Sequence, residues 1–244
     1  MNIKDQGIIL SVKKYGESSV IVKIFSKENG IYSGFIRGAM GKKNSAIYQA
    51  GNLVEFTWMA KNSDNLGFFR VELIKSFLAE IISNQLKLNC LNIAISLIEA
   101  NILEREPIND LFEKLLELQN SLVFGDEIFL RNYIEFEVLL LQVLGYGIDF
   151  SKCAVTATNE DLIFVSPKSA RAVSRSAGWQ YRDKLLKLPG FLIDDKIAAN
   201  KDDLLAGLKL CEFFISKYLY QSESKNLAKN FPNFRLKLNS YLTL

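Results

Sequence analysis

Cys153 opens a spacing that a structural zinc site would use, and the chain does not complete it. In "SKCAVTATN" the position three residues on is Thr156, and no further Cys or His lies in 157–190. Zinc needs four ligands, typically a Cys-x-x-Cys pair followed by a second pair. A small buried thiol is the expectation here, with no metal. The chain holds three cysteines (Cys90, Cys153 and Cys211), odd in number and far apart, which predicts reduced core thiols and a cytoplasmic setting. It has no histidine, which removes the commonest general base together with the commonest zinc ligand. There is no GxxxxGK[ST] loop, and no Ser or Cys stands in an arrangement that supplies it with a base. The acids Glu104, Glu106, Asp110, Glu113 and Glu117 could form a Mg²⁺ cluster, but they alternate with Lys114 and leucine pairs and read as a solvated helix face. No catalytic residue, cofactor or small-molecule substrate is expected, and the chain reads as a non-enzyme.

The residue type that does recur is the cation. Lys13, Lys14, Lys23, Lys27, Arg37, Lys42 and Lys43 fall in the first fifth of the chain, near Tyr15, Phe35 and Tyr48. Cations interleaved with aromatics are what a single nucleic-acid strand requires, phosphates on one and bases on the other. Any one of these lysines also fits a merely solvated face. The connection "RGAMGKK" is the strongest part, being basic, Gly-containing and free of acids. A second basic segment, 166–187, carries Lys168, Arg171, Arg175, Arg182, Lys184 and Lys187 against Asp183 alone. Its serines can donate to phosphate, and Trp179 or Tyr181 can stack; the alternative is an exposed loop with Trp179 in the core. Residues 1–78 hold 11 Lys and Arg against 6 Asp and Glu, residues 79–150 hold 4 against 12, and residues 151–244 hold 15 against 9. Two basic ends around an acidic middle predict a polyanion partner and a protein partner on different faces.

Strands must position the first group. "GIILSVKKY", "SVIVKIFS", "IYSGFIRG", "LVEFTWMA" and "LGFFRVELIKSF" are short β-rich runs separated by turn chemistry. Five strands with a long third connection suit a closed barrel of OB type over 1–78, with an SH3-like barrel left open. From Leu78 the period becomes helical, and 79–244 reads as a helical domain. Pro107 is placed at the first turn of one helix. Asp126 caps the next, which is apolar nearly all round and therefore central. Residues 151–190 read as an irregular basic insertion in which "DLIFVS" can pair with "ARAVS", and "DDLLAGLKLCEFFISKYLYQ" is the last helix. The fold class is α+β. No run is long and apolar enough to span a membrane and no signal peptide is expected, so a membrane partner is not.

With these residues in view, the chain resembles the recombination mediator RecO family of bacterial DNA repair. The carriers are "GIILSVKKYGESSVIVKIFSKENG", "GFIRGAMGKK", "YIEFEVLLLQVLGYGIDFSKCAVT" and "FVSPKSARAVS", in that order over most of the chain. Several members of that family carry a four-cysteine zinc site in this region. The stretch around Cys153 thus resembles a zinc module that has lost its metal. The resemblance implies a non-enzymatic protein that binds single- and double-stranded DNA and anneals complementary strands. It also implies action with RecR to load RecA on DNA coated by single-strand-binding protein, in the RecF pathway, at the nucleoid. It makes Arg37, Lys42 and Lys43 contacts for DNA or RecR. The rival readings from the residues alone are an RNA-binding OB protein of translation or ribosome assembly, marked by a 2′-OH requirement, and a scaffold that binds no nucleic acid.

Overall fold

Valine and isoleucine at alternate places make β2 (Ser19–Ser26) the easiest strand to explain: Val20, Val22 and Ile24 point inward and are buried, with Ile21 and Lys23 between them on the outer face. The computed structural model describes residues 1–39, 41, 46–61, 66–77, 81 and 83–219. These fall into two compact units, 1–123 and 124–244.

In the first unit β1 (Asn2–Tyr15), β2, β3 (Gly30–Ile36), β4 (Leu53–Met59) and β5 (Gly67–Lys75) close a barrel in the order β1-β2-β3-β5-β4. Closure depends on the one parallel pairing, which sets Gly34 against Gly67 and Phe35 against Phe68. Both glycines are required there. A Cβ on Gly67 would lie 2.3 Å from the Trp58 indole, and one on Gly34 would lie 2.7 Å from the Phe69 ring. The barrel core includes Ile9, Val22, Ile24, Val54, Phe56, Trp58 and Phe69. Each such side chain contributes roughly 1.5–3 kcal/mol by leaving water. The Trp58 indole N–H, which burial would otherwise strand, donates to the Ser33 carbonyl at 3.0 Å.

Two helices pack on this barrel. In α1 (Gln85–Asn101) the Asn84 side chain caps the start by accepting from the Lys87 N–H at 3.1 Å. In α2 (Asn109–Asn120) the N-cap is Ile108, so Pro107 stands just before the helix rather than in its first turn as the sequence predicts. Phe112 of α2 meets Phe25 of β2 edge-on at 5.6 Å, and the Gln119 amide donates to the Gly51 carbonyl at 2.6 Å. The α1–α2 connection adds a parallel bridge between Glu104 and Ile31 on β3. The five acids Glu104, Glu106, Asp110, Glu113 and Glu117 are exposed, as expected, and two of them also meet the barrel: Glu104 accepts from the Ser33 hydroxyl at 2.6 Å, and Glu113 pairs with Lys27 at 2.8 Å. Those acids are drawn to the polar and cationic side chains on one flank of the barrel.

The second unit is built on α3 (Asp126–Val143) and α4 (Lys201–Leu219). Gly125, not Asp126, is the N-cap of α3; Asp126 sits in the first turn, where its charge favours the helix dipole. Gly207 lets the two helices approach, since a Cβ there would meet Ile134 at 3.0 Å. Between these helices in sequence lies a three-stranded sheet, β7 (Ala172–Ser174), β6 (Leu162–Val165) and β8 (Leu186–Lys187) in spatial order, which contains the expected hairpin. Its β6–β7 turn is tied to α4 by the Lys217 ammonium, which donates to the Pro167 carbonyl at 2.8 Å. Among the described residues no helix is long and apolar enough to cross a membrane.

Candidate nucleic-acid interface

Strand register lines up one row across the outside of the barrel: Lys13 opposite Ile21, Ile21 opposite Phe35, Phe35 opposite Phe68, Phe68 opposite Met59. Opposed residues share a face, so the row is one surface assembled from all five strands. Tyr15 leans onto Phe35 at 5.0 Å between ring centroids, and Phe35 onto Phe68 at 5.9 Å. Tyr15 and Phe68 keep 55% and 42% of their surface in water, a cost that packing of the isolated chain does not explain. The Arg37 guanidinium lies 4.8 Å from the Phe68 ring centre, and exposed Arg70 follows Phe68 on the same outer face of β5. Phe68 stands between two open grooves. One of about 460 Å³ is lined by Phe35, Arg37, Tyr48 and Arg70, and one of about 550 Å³ by Ala60, Lys61 and Leu66. The surface turns acidic where Glu55 opposes Glu72.

Lys13 lies exposed at the Tyr15 end of this surface; Lys14, exposed beside it near the end of β1, opposes Val20 and so starts from the other face of the strand. Lys23 does not join them. It sits in the row of Ser11 and Ser33, 3.9 Å from Glu99, which also accepts from the Ser11 hydroxyl at 2.7 Å. Lys42 and Lys43 lie outside the described residues. Phe68 and Arg70 were not singled out from the sequence, although "GFFR" carried the signal: of two adjacent phenylalanines on a strand, only one can point into the core.

In the second unit the basic segment divides. Arg171 pairs with Asp149 at 3.4 Å and Arg175 with Asp161 at 2.9 Å, so both cations carry local partners. Lys168 is exposed in the β6–β7 turn, and exposed Arg182 stacks over Trp179, 5.4 Å from its ring centre. Trp179 is itself 54% exposed and not a core residue.

Cys153 is 1% exposed, and its sulfur accepts backbone N–H groups of Val155 and Thr156 at 3.4 Å and of Ser174 at 3.3 Å. Burial pushes the thiol up, but the donors from Ser174 and Thr156 outweigh it and bring its pKa down to about 6. The turn aims three backbone N–H groups at the sulfur, an arrangement that favours the thiolate. The second-ligand position is taken by Thr156, whose hydroxyl bonds that of Thr158 at 2.8 Å. One thiol and two hydroxyls do not fit a four-ligand zinc site. Among the described residues no three His, Cys, Asp or Glu side chains gather as ligands.

The family described as "Recombination protein O N terminal" matches residues 1–77, and "Recombination protein O C terminal" matches 83–228. The chain is 41% identical over 222 residues to the DNA repair protein RecO of Rickettsia canadensis (strain McKiel), covering 91% of each chain. It is 40% identical over 229 residues to that of Rickettsia africae (strain ESF-5), covering 94% of this chain and 95% of the relative. To that of Rickettsia bellii (strain OSU 85-389) it is 39% identical over 222 residues.

Proposed function

The chain belongs to the recombination protein O family of DNA repair, and we propose that it binds single- and double-stranded DNA and anneals complementary strands. In the same proposal it acts with RecR to load RecA on DNA coated by single-strand-binding protein, at the nucleoid, without catalysing a reaction. The observation that carries the DNA-binding part is the exposed Tyr15–Phe35–Phe68 row with Arg37 over its last ring. Aromatic faces accept any base, and cations beside them take the phosphates, so binding is tolerant of sequence. Neutralised phosphates on two strands repel less, and bases held apart from their own strand's stack are free to pair.

Lys13, Lys14 and Arg37 are the phosphate contacts of this surface, with Arg70 added and Lys42 and Lys43 following from the family motif. Lys23 serves the barrel–helix contact through Glu99. Lys168 and Arg182 extend the DNA surface in the second unit; Arg171 and Arg175 contribute less because carboxylates already face them. If the barrel engages roughly 4 phosphates of one strand, log K should fall against log[salt] with a slope of about −3. The deciding experiment is annealing of labelled complementary oligonucleotides, with and without single-strand-binding protein. Faster pairing in both conditions supports the proposal, and unchanged rates with a salt slope near zero overturn it.

A further inference from the structure

We propose that Trp179 is a second base-stacking site, separate from the barrel, so that one chain holds two segments of unpaired strand. This rests on the reading of the chain as a DNA-binding protein. Trp179 opens the 3-10 segment Trp179–Lys184, in which no residue is buried. Such a segment is usually loose, but this one is fixed at both ends. Before it, Gly178 packs so close to β6 that a Cβ would lie 2.7 Å from the Phe164 ring; after it, Leu186 pairs with Val165 of β6. The segment is therefore a rigid platform that presents Trp179 and Tyr181, each 54% exposed, to water.

The charge around these rings selects the partner. Arg171 and Arg175 are matched by Asp149 and Asp161, while Arg182 stands exposed over the indole and Lys184 and Lys187 are exposed further along the chain, with Asp183 as the one acid in the segment. Arg182 covers one side of the indole and also donates to the Trp179 carbonyl at 3.3 Å, which fixes cation and ring together. A flat, half-exposed ring with a fixed cation beside it takes a base on its free surface and that nucleotide's phosphate on the cation. A duplex keeps its bases stacked on one another and offers the ring nothing, so the ligand is an unpaired nucleotide of single-stranded DNA.

The chain has two tryptophans, and the other, Trp58, is 1% exposed. Acrylamide therefore quenches Trp179 selectively. Full-length protein is titrated with oligo-dT while anisotropy of a labelled strand reports total binding. Saturating oligo-dT is expected to shield the accessible tryptophan, and a blunt duplex of equal length is expected not to. Trp179→Ala should weaken binding at this site about tenfold, the loss of roughly one stacked base, with Trp179→Phe recovering most of it. Strand binding by anisotropy with Trp179 still open to acrylamide would overturn the proposal and leave the barrel reading intact, as would equal shielding by duplex. No anisotropy change at all would remove the DNA-binding reading and this inference with it.

Discussion

Arg37 holds its guanidinium 4.8 Å from the centre of the Phe68 ring, joining the end of β3 to the start of β5 across the parallel pairing that closes the barrel. The contact keeps a cation and an aromatic face at fixed spacing on the outside of a rigid barrel. That spacing can receive a nucleotide without first being ordered.

Phe68→Ala should therefore weaken single-strand binding about tenfold, since base–aromatic stacking contributes roughly 1–3 kcal/mol per base. Phe68 is 42% exposed, so its truncation should cost less stability than a core phenylalanine. Phe69→Ala, one residue on, removes a ring that is 5% exposed and should cost about 3–5 kcal/mol. Anisotropy titrations and thermal melts on the two variants separate the roles; equal loss of binding and stability in both would refute them.

The barrel was legible because alternation is local: Val20, Val22 and Ile24 declare their face within one strand. The aromatic row was legible only in part: Tyr15 and Phe35 stand among the cations of the first strands, but Phe68 joins them only once β3 pairs with β5. Charge was legible in one respect only. Read along the chain, Glu104 and Glu113 belong to an acidic middle free for solvent or partners. Folded, they keep their exposure but also meet Ser33 and Lys27 of the barrel, which a composition count cannot register. Trp179 stayed open between stacking and the core, since nothing local distinguishes an exposed tryptophan from a buried one.

Lys23 tests that account. Its ion pair with Glu99 is partly exposed, so Lys23→Ala should cost no more than about 1 kcal/mol. Its salt slope for single-strand binding should match the wild type. The double variant Lys13→Ala, Lys14→Ala should flatten the slope by about 1.4, the share of two phosphates. A flatter slope in the Lys23 variant would place that lysine among the DNA contacts.

Cys153 gives a pH dependence. Its folded pKa of about 6 lies below that of a free thiol, so the folded state favours the thiolate. The stabilisation is full above the unfolded pKa of about 8.5 and is lost as pH falls through the folded value. The melting-temperature gap between wild type and Cys153→Ser should widen from pH 6 to pH 9. Cys90 and Cys211 are common to both proteins and cancel in the difference. A gap that stays constant over this range would show that the Ser174 and Thr156 donors do not bias the thiol.

The triple variant Arg37→Ala, Lys42→Ala, Lys43→Ala addresses what the β3–β4 connection does. Arg37 is exposed and meets Phe68 through its cation rather than through a carboxylate. Exposed charges contribute little to folding, so the melting temperature should move by only a degree or two. If the three cations meet phosphates of one strand, the salt slope should shrink by about 2 and annealing should slow. The same segment is also the proposed RecR contact, and the two roles separate in this variant. Slowed annealing with RecR binding retained makes the connection part of the stacking surface that Arg37 and Phe68 begin. Lost RecR binding with annealing intact makes it a protein interface, and leaves the rings of Tyr15, Phe35 and Phe68 with Lys13, Lys14 and Arg70 to hold the strand. Both activities unchanged would reduce the segment to a solvated loop and end its claim to either partner.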